Sequence, residues 1–173
     1  MNRFLLKSHF FISLCALGLS LETAVVLDVP FQSVWLYTFI FFSTFFSYNF
    51  YYIKTDAFPH AKVLAITGLV GAVISLMQMP YIPYLYLFMI SVGSMLYLLP
   101  IFIPFKKTQT FSVQKLFLLI LIWVMITFLF PVRHIHFNYG KGLLLIYRIT
   151  LISHLCILFF IRDETMKNVR GSL

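Results

Sequence analysis

Few of the 173 side chains can do acid–base, metal or anion chemistry. The carboxylates are Glu22, Asp28, Asp56, Asp163 and Glu164, set against 13 Lys and Arg for a formal net charge of +8. His134 and His136 form a His-x-His pair that can hold a metal in a strand-like loop. No third ligand stands near them in the sequence, so they read as interfacial polar residues. Arg148 lies inside an apolar run, where a charge is expensive and marks either function or pairing. The expectation is that it snorkels or pairs with Glu22, which stands near the matching end of its own run. His154 precedes Asp163 by nine residues and faces the other way at about 100° per residue, which predicts a structural hydrogen bond. Cys15 and Cys156 sit in apolar runs with no partner at motif spacing, and read as small buried hydrophobes.

The elements that must position these groups follow from composition. The chain is 61% hydrophobic, 19% aromatic and 10% charged, against about 45–50% apolar and about 25% charged in a soluble domain. That excess excludes a disordered chain, a disulfide scaffold and a soluble enzyme. The bases fall in short clusters between long apolar runs, the pattern of membrane loops and not of a nucleic-acid surface. Six runs approach the about 17–25 residues of a spanning helix. They cover about residues 9–27, 34–53, 63–79, 81–103, 116–132 and 143–161. Strand periodicity is absent, and helices satisfy their own backbone in lipid. The expected fold is therefore all-α, a single integral-membrane domain over residues 1–173 with about six transmembrane helices. Residues 1–21 imitate a signal peptide without a clean cleavage site, which favours a retained first helix.

Orientation follows from the bases. With the N-terminus inside, Arg3, Lys7, Lys54, Lys62, Lys106, Lys107, Lys115, Arg162, Lys167 and Arg170 fall on the inner side. Only Arg133, Lys141 and Arg148 fall on the outer side, a ratio of 10 to 3. The positive-inside rule predicts a multi-pass protein of the inner (plasma) membrane with both termini cytoplasmic. Asp56, Asp163 and Glu164 then share the cytoplasmic side, so at most three carboxylates can meet there.

Three stretches carry a resemblance. The second run ends in FFSTFFSYNFYYIK with Asn49, the fourth in YLLPIFIPFKK with Tyr97, Pro100, Lys106 and Lys107, and the sixth in FFIRDETMK with Arg162 and Asp163. In this order, at matching helix ends, they resemble the UbiA superfamily of intramembrane prenyltransferases, especially the short UbiA-like proteins of Bacteroidetes. The resemblance covers about residues 13–167 and implies the first two-thirds of a nine-helix bundle. It implies that Asn49, Tyr97, Lys106, Lys107, Arg162 and Asp163 bind the diphosphate of an isoprenoid donor. It also implies Mg²⁺ as cofactor, with Asp163 and Asp56 as its candidate ligands, because a departing diphosphate needs its charge neutralised.

The chain departs from the family's motifs. The first motif reads Asn-Asp-x-x-Asp-x-x-x-Asp, and from Asn49 this chain places Phe50, Ile53 and Ala57 at the acidic positions. The second reads Asp-x-x-x-Asp, and Lys167 stands where the second acid belongs. The expected function is a UbiA-like membrane protein whose prenyl transfer is weakened or lost. The alternative is a non-enzymatic membrane protein, either a lipid-binding scaffold or a subunit of a membrane complex. The expected partners are the lipid bilayer, a prenyl diphosphate, and a membrane-protein partner or second copy.

Overall fold

The computed structural model describes residues 10–28, 33–53, 60–80, 84–102, 109–132 and 139–171, leaving out the side chains of 51–52, 98–102, 109–115 and 158–171. The described residues are all-α, with no strand. In chain order, α1 is Phe10–Val26, α2 Val34–Ile53, α3 Ala61–Met77 and α4 Tyr84–Phe102. Next, α5 is Gln109–Val124 and runs without a break through a π-helical stretch, Met125–Leu129, into a last turn, Phe130–Val132. Finally, α6 is Tyr139–Gly171. Each helix covers one of the six apolar runs. The largest difference is α6, which has 33 residues where the run 143–161 has 19.

The ends have local causes. Ser33 opens α2 as an N-cap, its Oγ accepting the Trp35 N–H at 3.2 Å while its carbonyl accepts the Leu36 N–H. Past α1, Asp28 turns the chain with φ 49°, a left-handed conformation that Asp tolerates better than most residues. Pro80 restricts Met79 and cannot continue a helix, so α3 stops at Met77.

Packing follows side-chain size. The buried face of α1 is Ser13, Ala16, Ser20, Thr23 and Ala24, and that of α3 is Ala61, Ala65, Gly68, Ala72 and Ser75. Their opposite faces carry large apolar side chains, among them Phe11 and Val25 on α1 and Val63, Ile66, Val70 and Met77 on α3. Small faces let backbones approach closely. The approach is tightest between α2 and α3. A Cβ on Gly68 would lie 2.7 Å from the Phe46 backbone nitrogen, and one on Gly71 would lie 2.6 Å from the Phe42 ring.

The last turns of α5 form the centre. Met125 and Phe130 pack with Ala16 and Ala24 of α1, Leu36, Tyr37 and Ile40 of α2, and Ile90 of α4. On the other side, Val124 and Phe128 pack with Ile152 and Cys156 of α6. Within α6, Tyr139–Ile157 is long and apolar enough to cross a membrane, while α1 and α3 are apolar over 17 residues each.

The glycines give a contrast that unfolding of the purified protein can measure. Gly68→Ala should destabilise by about 1–3 kcal/mol, because the new methyl meets backbone that cannot swing aside. Gly18→Ala should instead stabilise by up to about 1 kcal/mol, since nothing lies within 4 Å of the added Cβ and Ala is the better helix former. Equal effects at the two positions would remove the close α2–α3 approach.

Candidate functional site

Among the described residues, a buried polar network is built around Arg148. This side chain is wholly buried on α6. Its Nη1 donates to Glu22 Oε2 at 3.0 Å, and its Nη2 donates to Thr23 Oγ1 at 2.9 Å and to the Leu19 carbonyl at 3.1 Å. The residue therefore pairs with Glu22, as its position in the sequence suggests, and does not snorkel.

Thr23 extends the network into α5. Its Oγ1 lies 2.8 Å from the Thr127 carbonyl and 2.9 Å from the Leu19 carbonyl, and one hydroxyl proton serves both. Arg148 already donates to Leu19, so the Thr23 proton counts most at Thr127. Pro131 stands four residues after Thr127 and has no N–H to offer that carbonyl. The α5 backbone answers in two ways: it widens into a π-helical stretch, and it takes a hydroxyl from α1. Thr127 Oγ1 in turn donates to the Trp123 carbonyl at 2.7 Å, and Trp123 Nε1 donates to Tyr48 Oη at 3.0 Å. A continuous polar thread thus links Glu22 and Arg148 to α5 and on to α2.

The residues singled out by the resemblance are only partly placed. Asn49 is buried on α2, one turn before Ile53, and its Nδ2 donates to the Phe45 carbonyl at 2.8 Å. Tyr97 is half-buried on α4. Arg162 and Asp163 stand on the α6 backbone, but their side chains lie outside the description, and Asp56, Lys106 and Lys107 lie outside the described residues altogether. Among the described residues, no three His, Cys, Asp or Glu side chains cluster as a metal site. On α6 the buried positions Arg148, Ile152 and Cys156 recur at steps of four, and Asp163 continues that stripe seven positions on. His134 and His136 also lie outside the described residues.

Compared with known proteins, the chain matches no family model, no curated protein and no solved structure.

Sequence reasoning missed Thr23, Thr127 and the Tyr48–Trp123 bond. One signal was present: a proline within an apolar helix leaves a carbonyl four residues back in need of a donor. Lys141, expected in an outer loop, instead lies in the first turn of α6 and is buried. His154 makes the expected structural bond, its ring donating from Nδ1 to the Thr150 carbonyl at 2.8 Å.

The thread gives a stability test. Thr23→Val keeps the shape but removes an acceptor from Arg148 and a donor from Thr127, and should cost about 1–3 kcal/mol. Thr23→Ser keeps the hydroxyl and should cost less. A double-mutant cycle of Glu22→Gln with Arg148→Gln should give a coupling of about 0.5–3 kcal/mol. Strict additivity would mean that the pair carries no interaction.

Proposed function

We propose that the chain is a multi-pass integral-membrane protein of UbiA-like kind that holds the anionic head of a prenyl diphosphate without turning it over. One observation carries the membrane part: the outer faces of the bundle are apolar while several of its buried side chains are polar or charged. Its outer faces carry large apolar side chains, whereas the buried set includes Arg148, Lys141, Asn49, Thr23, Thr127 and Ser20. A helix of a water-soluble protein shows the opposite arrangement. Hydroxyls behave in keeping. Even the exposed Thr67, Ser91 and Thr150 return their protons to carbonyls of their own helix at 2.8–3.0 Å, as groups do where water is scarce. In this reading the bundle lies in the inner membrane of a bacterial cell, and the 10-to-3 distribution of basic residues favours cytoplasmic termini.

For the prenyl-diphosphate part, the supports are the three helix-end motifs, the burial of Asn49 one turn from the end of α2, and the position of Asp163 on the inward stripe of α6. Mg²⁺ is what the resemblance implies, and the donor set does not fit it. α2 is helical through Ile53, so the first motif offers Phe50 and Ile53 on consecutive turns and no carboxylate there. α6 is unbroken through Lys167, which sets an ammonium one turn from Asp163. Opposite charges at that spacing attract each other, and the cation repels a metal. No step is therefore routed through a metal.

In this reading the diphosphate is held by Lys54, Lys106, Lys107 and Arg162 as charge-assisted donors. Such contacts favour the bound and the departing diphosphate alike. Only contacts that strengthen as the bond breaks raise the rate. A non-enzymatic lipid-binding or subunit role is the second reading, favoured by the same donor set.

Two experiments test this. Reporter fusions at Lys107 and Leu173 should read cytoplasmic and one at His136 external; a cytoplasmic signal at His136 would break the six-span topology. Purified protein should bind geranylgeranyl diphosphate weakly and form no product with an aromatic acceptor and Mg²⁺. Metal-dependent product that is lost in Asp163→Ala would restore a competent enzyme. Ile53→Asp combined with Lys167→Asp should tighten Mg²⁺-dependent binding about tenfold or more, the worth of one charge-assisted contact. An unchanged affinity would remove the UbiA-like site and leave the second reading.

A further inference from the structure

We draw no further inference here: the strongest candidate, the notch on the outward face of α1 where open space beside Gly18 adjoins the half-exposed carboxylate of Glu22, carries nothing because nothing in the structure shows what covers it.

Discussion

The Arg148 guanidinium is the constraint around which the rest of the bundle is arranged. It is wholly buried, and a buried charge is tolerable only if most of its donors find oxygen. Three of its contacts are to α1: the Glu22 carboxylate, the Thr23 hydroxyl and the Leu19 carbonyl. To bring them together, α1 and α6 must stand at one height and in one rotational phase, with the long arginine side chain spanning between them. The small face of α1 packs against α2 and the end of α5 and carries the oxygens that the guanidinium reaches. Ser20 and Thr23 add hydroxyls to it without bulk, and Ser20 returns its proton to the Ala16 carbonyl at 2.7 Å. Glu22 remains 42% exposed, so the pair is an edge contact and not a sealed one. Its value lies more in fixing geometry than in net stabilisation.

The π-helical stretch in α5 belongs to the same constraint. Pro131 would leave a carbonyl of α5 unpaired at the centre of the bundle, beside Phe128 and Phe130, which are among its most buried side chains. Thr23 supplies the missing donor, and Arg148 holds Thr23 in place. An apolar side chain at position 23 would therefore fail twice, once toward the guanidinium and once toward the carbonyl. The proline, the threonine and the arginine come from three helices, and the one threonine hydroxyl meets a need created by each of the other two.

This interdependence explains what could and could not be read from the sequence. Apolar runs showed the six helices, because length and polarity act locally, and Pro80 set the end of α3 for the same reason. Glu22 and Arg148 could be paired in advance because they are the two charges embedded deepest in apolar runs, near matching ends. Thr23 and Thr127 could not, since a threonine in an apolar helix ordinarily bonds to its own preceding turn and signals nothing beyond it. The length of α6 was also hidden. Its last turns, from Arg162 onward, are charged and amphiphilic, so a reading based on hydropathy ends where the helix does not. Of the candidate site, the sequence named the residues but could not bring them together, because Asn49, Tyr97 and Asp163 come from three helices joined by no local rule.

The length of α6 ties the two ends of the molecule to one another. A helix of 33 residues without a break is a rigid rod, so its rotational phase is set wherever it is held most firmly. That place is Arg148, with Ile152 and Cys156 continuing the contact against Val124 and Phe128. Asp163 follows Arg148 by 15 residues, or roughly 22 Å along the axis, and lies within about 60° of it in phase. The phase of position 163 on the helix is thus inherited from a pairing near the opposite end. Position 167 is fixed in the same way, one turn further along. Reorienting α6 to carry Lys167 away would carry Asp163 with it and would pull Arg148 from Glu22 and Thr23. The arrangement that buries the guanidinium therefore also fixes the backbone phase of positions 163 and 167. For this reason the phase of the last turns of α6 is a property of the whole helix and not of those turns alone.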